Sequence, residues 1–326
     1  MLKRFTFLRE DQPGAAWLSR FIAGREEAER WYLGKGRTPP SSGAECRAAL
    51  REHMPELLPQ YDLVCALVGD DDRAHQILSQ YRPPPVIAGC SQAVWLGSGG
   101  PALVRNYDFA LDVVSDHFEM TSWFGRKVIA KSQRPWGGCH DGMNEDGLVA
   151  SITFGGSAAM GRGFAVILML RYVLETCRRV DEAVSALSRI PIAQSQNVTL
   201  LDRSGAYATL FLGPDRVPAV TADRFCTNHQ EAVVWPEHGA MSRTLERHDA
   251  LVRLLAQPGM NLDRLVESLL APPLYSRRAG SPTVYTAVYR PAEGTVDYLW
   301  PGKRLRQSFD LFAPGTYTHD YGELPA

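Results

Sequence analysis

Three consecutive prolines, Pro83-Pro84-Pro85, constrain this 326-residue chain more than any other feature. Proline fixes its own φ, donates no backbone hydrogen bond and pushes the residue before it toward extended geometry. Neither a helix nor a central strand passes through such a run, so the chain must change character there. Ahead of it, residues 15–32 and 44–58 place apolar side chains at three- and four-residue spacing among charges. That spacing predicts a predominantly α segment over 1–82, interrupted at Pro39-Pro40-Ser41-Ser42-Gly43. Behind the prolines, Val86-Ile87-Ala88-Gly89 leads into Cys90, and the principal boundary is placed at Gly89/Cys90.

Beyond the boundary, short apolar or β-prone runs at 93–96, 102–105, 148–154, 198–201 and 207–211 are bounded by Gly, Asp, Asn and Ser, the pattern of strands. Residues 164–178, 180–189, 241–255 and 262–270 read as helices, and 283–289 with 295–300 as a hairpin around Arg290-Pro291-Ala292-Glu293-Gly294. Helices layered against sheets, an α+β arrangement, are the natural solution for this order. With 45% apolar residues and a net charge of −1, the chain has an ample core. Nothing in that charge points to nucleic acid or an anionic membrane as a partner. Met1 to Glu10 lacks the apolar stretch of a signal peptide, so cytoplasmic residence is the expectation. The longest apolar run, 164–170, falls well short of the ~20 residues that span a bilayer. Six cysteines (46, 65, 90, 139, 177 and 226) form no CxxC pair, so neither a zinc ribbon nor a disulfide framework is indicated.

Cys90 stands apart from the other five. If the Gly89–Cys90 bond is cut, Cys90 gains a free α-amine beside its thiol, placing nucleophile and general base on one residue. A thiol titrates near pH ~8.5 and needs a cation or base to ionise at neutral pH. Arg105 offers that charge, and Asp108, three residues on, is expected at the same site, where it would hold the α-ammonium or fix Arg105. The Gly142–Leu148 string reads as a turn feeding a strand, with Asn144 and Glu145 organising backbone or touching substrate. Thr227-Asn228-His229 reads as a turn or as part of the site. Cys139-His140-Asp141 gathers metal-ligand types without a spaced partner pair, so no metal and no other cofactor is called. The glycine-rich stretches 97–100 and 155–157 lack the setting of nucleotide loops and read as turns. Trp95, Trp123, Phe124 and Trp136 are candidates to line an acyl pocket.

Gly89-Cys90, Arg105-Asn106-Tyr107-Asp108, the 142–148 string, Leu170 to Glu175, Thr227-Asn228-His229, Ser242-Arg243 and the closing hairpin to Gly302 follow in an order and spacing that is specific. In these the chain resembles the N-terminal-nucleophile hydrolases of the penicillin acyl-coenzyme A acyltransferase (peptidase C45) type, with choloylglycine hydrolases and acid ceramidase as more distant relatives. The resemblance implies a four-layer αββα sandwich and autocatalytic cleavage before Cys90. Residues 1–89 would then be a helical prosegment kept as an α-chain, and 90–326 the catalytic β-chain. It further implies that Cys90 attacks an amide or thioester carbonyl and passes the acyl group to water or an amine. Arg105 and Asp108 would lie beside the thiol, Asn228 would donate to the oxyanion, and Arg243 would brace the site. In the choloylglycine branch an asparagine of the oxyanion hole follows the 142–148 string, where this chain has Thr153.

Two alternatives stand beside this reading. One is a papain-like thiol hydrolase with His229 as base and Asn228 as orienter of Cys90, requiring no cleavage. The other is a non-catalytic protein that keeps the fold. The expected partner is a small acyl amide or thioester, and oligomeric state is not readable from the residues.

Overall fold

Apolar residues alternate along the strands of this chain, and in the structure, a computed structural model describing residues 1–32, 42–133 and 137–325, that alternation sorts side chains into three cores between four layers. The front comprises β1 (Leu2–Arg9), α1 (Ala15–Tyr32), α2 (Gly43–His53), α3 (Leu58–Val68) and α4 (Asp72–Ser79). Pro39, Pro40 and Ser41 lie outside the described residues. There follow β2 (Gly89–Trp95), β3 (Ala102–Asp108), β4 (His117–Thr121), β5 (Val128–Gln133), β6 (Gly138–Asn144) and β7 (Val149–Phe154). Next come α5 (Val166–Thr176), α6 (Val180–Arg189), β8 (Gln196–Leu201), β9 (Tyr207–Leu212), β10 (Ala219–Thr221) and β11 (Phe225–Cys226). The chain ends with α7 (Pro236–Ser242), α8 (Thr244–Leu255), α9 (Leu262–Leu269), β12 (Thr283–Arg290), β13 (Thr295–Trp300), β14 (Lys303–Ser308) and β15 (Gly315–Asp320).

Among the described residues the strands form a nine-stranded sheet, β10-β9-β8-β7-β6-β5-β4-β1-β15, and a six-stranded sheet, β11-β2-β3-β12-β13-β14. Val128 and Ala130 of β5 pack with α5 in the first core, whereas Ile129 between them faces the other sheet. On β2, Cys90 and Val94 face the nine-stranded sheet, while Ala93 and Trp95 pack with Leu251 of α8 and Leu269 of α9. The architecture is therefore helices, sheet, sheet, helices, as the resemblance implied.

Two elements differ from the sequence reading. The front segment does not begin as a helix: Phe5 and Phe7 alternate into the core between the sheets, so residues 2–9 form β1. There β1 runs parallel to β4 and antiparallel to β15, between the two. The helix expected over 241–255 is split at Arg243, whose φ of +52° ends α7 before α8 begins. No helix among the described residues is long and apolar enough to cross a membrane.

Phe5 is 0% exposed and packs its ring on Phe118 and Trp300. Phe5→Ala is expected to lower unfolding stability by about 3–5 kcal/mol. Urea denaturation checks this, and a loss below about 1 kcal/mol would mean that β1 is not part of the common core.

Candidate active site

Cys90, second residue of β2, lies opposite Tyr107 of β3, and alternation points Cys90, Arg105 and Tyr107 into the space between the sheets. Arg105 Nη2 donates to Cys90 Sγ at 3.2 Å. A guanidinium with no solvent exposure needs a carboxylate, and Asp141 of β6 in the facing sheet supplies it. Tyr285 donates to Asp141 Oδ2 at 2.5 Å, Tyr289 donates to Oδ1, and Arg105 Nη1 also reaches the His140 carbonyl at 3.1 Å.

A bulge makes this possible. Between β5 and β6 the register steps from Lys131↔Asp141 to Ser132↔Cys139, leaving His140 as the extra residue. Successive residues His140 and Asp141 thereby both turn inward, His140 Nε2 lying 3.2 Å from Tyr107 Oη, while Cys139 faces the helices. The string weighed as metal-ligand types is spent instead on an arginine and tyrosines. Among the described residues no group of three His, Cys, Asp and Glu side chains converges as metal ligands would.

Asp108 takes the opposite face of β3. It does not pair with Arg105, because their odd separation along a strand puts them on opposite sides of the sheet. Its partners are Arg247 of α8, whose Nη1 donates to Oδ2 at 2.9 Å, and Thr283, which donates to Oδ1 at 2.6 Å. Arg247 Nη2 also donates to Asn228 Oδ1, which accepts the Cys90 backbone N–H at 2.9 Å. The strand around Cys90 is thus flanked by two buried ion pairs, Arg105–Asp141 and Arg247–Asp108. Burial pushes the Cys90 thiol above its ordinary pKa, with Arg105 opposing and the Asp108 charge reinforcing the rise. Burial likewise raises Asp108 against the pull of Arg247 and Thr283.

Arg243 does not reach this site. Its guanidinium is exposed and paired with Glu246, and the arginine facing Cys90 is Arg247, one helical turn later. Thr153 donates to the Thr227 carbonyl at 2.8 Å and so braces the loop bearing Asn228. Asn144 donates to the carbonyls of Leu174 and Cys177, at 2.9 and 2.8 Å, tying off α5. Glu145 Oε1 accepts the Lys127 backbone N–H at 2.9 Å. His229 Nδ1 lies 2.8 Å from Thr244 Oγ1 and 3.3 Å from Thr227 Oγ1, so that ring nitrogen is engaged by threonine hydroxyls. At Gly156, with φ +78°, a Cβ would stand 2.6 Å from the Asn228 carbonyl, so the turn at 155–157 also seats the asparagine.

A cavity of about 550 Å³ opens beside Cys90. One wall is the front segment, with Trp31 and Pro83 to Ala88; the other carries His140, Ile152, Phe154, Phe164 and Val166. The aromatics singled out in the sequence lie elsewhere: Trp95 under α8 and α9, and Trp123 and Phe124 in the helix-side core. Trp136 is outside the described residues.

The sequence profile described as acyl-coenzyme A:6-aminopenicillanic acid acyl-transferase matches residues 95–305, well over half of the chain. The chain belongs to this acyl-transferase family. Family membership spans Arg105, Asp108, Asn228 and Arg247, and the matched stretch begins just after Cys90. Solved structures similar to this family member include a mutant of conjugated bile acid hydrolase from Clostridium perfringens, with 12% identity over 73% of this chain and 98% of that one (TM-score 0.45). Penicillin V acylase from Agrobacterium tumefaciens is 14% identical over 68% and 86% of the two chains (TM-score 0.47). The Caenorhabditis elegans ortholog of N-acylethanolamine-hydrolyzing acid amidase is 14% identical over 71% and 100% (TM-score 0.45). No curated protein sequence matches the chain.

The two candidate arginines separate by stability in a Cys90→Ala background. Arg247→Ala leaves buried Asp108 without its cation and is expected to cost about 3–5 kcal/mol. Arg243→Ala, at the surface, should stay within about 0.5 kcal/mol. Equal losses on chemical denaturation would overturn this assignment.

Proposed function

We propose that this acyl-transferase family member is a cysteine N-terminal-nucleophile amidohydrolase or acyltransferase that cuts itself between Gly89 and Cys90. The observation that carries the reading is that both reactive ends of Cys90 are already engaged, Sγ by Arg105 and the backbone N–H by Asn228 Oδ1. In self-cleavage, Sγ adds to the Gly89 carbonyl carbon. The C–N bond breaks, with the thiol proton passing to the departing Cys90 nitrogen. Water then hydrolyses the thioester, leaving a Gly89 carboxylate and a Cys90 that carries both amine and thiol.

Turnover uses the same atoms. Burial holds the thiol protonated, so attack on a substrate needs a base, and the freed α-amine sits on the same residue. The amine takes the thiol proton, Sγ attacks the acyl carbonyl, the leaving group departs with the proton, and water or an amine resolves the thioester. Asn228 Oδ1 faces two donors, so Nδ2 remains to donate, held among the described residues only by the Phe154 carbonyl at 3.4 Å. Its role would be to bind the oxyanion, and Asn228→Ala is expected to lower kcat by roughly 10²–10³-fold. The mainly apolar cavity suits an amide or thioester with an apolar acyl group.

Intact-mass measurement under denaturing conditions tests the reading. Wild type should give two fragments meeting at Gly89/Cys90, and Cys90→Ala one uncut chain. A wild type that stays whole yet turns over amides would exclude the N-terminal mechanism.

A further inference from the structure

One buried group beside the junction has no part in the chemistry above. His238 of α7 is 3% exposed, its ring edge-on to Phe154 at 4.7 Å and against Trp235 at 5.5 Å between centroids. Neither Nδ1 nor Nε2 has a hydrogen-bond partner among the described residues. The backbone of Ala88, next to Gly89, comes near enough to favour the protonated ring yet falls short of hydrogen-bond geometry. Burial holds His238 below its ordinary pKa, and the charged group acting on it is Arg247 of α8, which lowers it further. A buried polar group without a partner is an exception that calls for a reason.

Self-cleavage supplies one, because it turns a neutral peptide carbonyl into a carboxylate. A Cβ placed on Gly89 would stand 3.2 Å from Asp108 Cβ and 3.6 Å from its Oδ2, so the new chain end forms against an existing carboxylate. Arg247 is already bound to Asp108 and Asn228. The same cut frees the Cys90 α-amine, but turnover uses that amine neutral, as the base, so it supplies no standing cation; two carboxylates sharing the buried site then repel, and the new end turns away from Asp108. Ser281 Oγ, 3.3 Å from the same Cβ position, is a neutral donor beside the new end, and on the Ala88 side the His238 ring is the donor that can also take up a proton.

We propose that His238 is the docking group for the Gly89 carboxylate made by self-cleavage, pairing with it as an imidazolium and holding residues 83–89 as a cavity wall afterwards. The proton comes from solvent, and no covalent bond changes beyond the cleavage itself. This inference rests on the self-cleavage reading.

NMR titration of His238, identified by the signal lost in His238→Gln, compares cut wild type with uncut Cys90→Ala. His238 should titrate below the usual histidine range in the uncut chain and above it in the cut one. In cut His238→Phe, amide hydrogen exchange of residues 86–89 should speed up at least about tenfold, with no change in a Cys90→Ala background. Equal titration in cut and uncut chains, or an unchanged tail, overturns the docking role while leaving self-cleavage standing. A wild type that never cuts removes both. If His238→Phe does not fold, the titration of unaltered His238 decides alone.

Discussion

A guanidinium held between two sheets, out of reach of water, sets the terms for the rest of this molecule. Arg105 belongs to the six-stranded sheet and its carboxylate, Asp141, to the nine-stranded one, so the pair joins the two layers as well as neutralising a charge. An uncompensated buried charge is among the costliest defects a core can hold. The separation and register of the sheets are therefore tied to this contact, and the Cys90 thiol sits on the same guanidinium. Lys131, opposite Asp141 on β5, shows how the layer manages its other cation. Burial pulls it down to about 7, and its Nζ is bound by the Ser115 and Ser132 carbonyls, which leaves Asp141 to Arg105.

The front segment belongs to the same construction. With β1 seated between β4 and β15, β15 reaches the nine-stranded sheet, among the described residues, only through a strand that precedes Cys90. Under the self-cleavage proposal, residues 1–89 could not leave without dismantling that edge and one wall of the cavity. The cut would free chemistry at Cys90 while the scaffold around it stays closed.

Much of this was legible in the residues. The helices over 164–178, 180–189 and 262–270, the strands around 93–105 and 148–154 and the closing hairpin follow local period and turn residues, and the structure places an element at each. Arg105 and Asn228 both contact Cys90, whereas Asp108, on the other face of the sheet, is linked to it only through Arg247 and Asn228. What escaped depends on long-range geometry. Asp141 reaches Arg105 through a bulge, and a one-residue insertion in a ladder leaves no mark on composition. Arg247 rather than Arg243 faces the site because a left-handed turn at Arg243 re-aims the helix, and both arginines look alike in the string. β1 was hidden because Phe5 and Phe7 give only two turns of alternation, too short a pattern to outweigh the helical signal behind it. Trp95, Trp123 and Phe124 were large enough to suggest a pocket, but size alone marks core as readily as ligand contact.

Under the self-cleavage proposal, Asn228 explains how a reactive bond can lie inside a strand. β11 pairs with β2 only at Phe225↔Ala93 and Cys226↔Gln92, then stops. Continued in register, the next position opposite Cys90 is Asn228, whose side-chain oxygen accepts the N–H that a further ladder bond would have taken. A backbone carbonyl there would be fixed by its own strand. A side-chain amide, held by Arg247 through the same oxygen and loosely by Phe154 through its nitrogen, can follow an amide that becomes an amine. The loop bearing it is fastened on the far side, with Thr244 Oγ1 accepting the Asn228 backbone N–H at 2.8 Å and Thr153 and Asn197 bound to the Thr227 carbonyl. Rigid backbone and one replaceable side-chain contact would let the ladder survive the proposed loss of the peptide bond at its end.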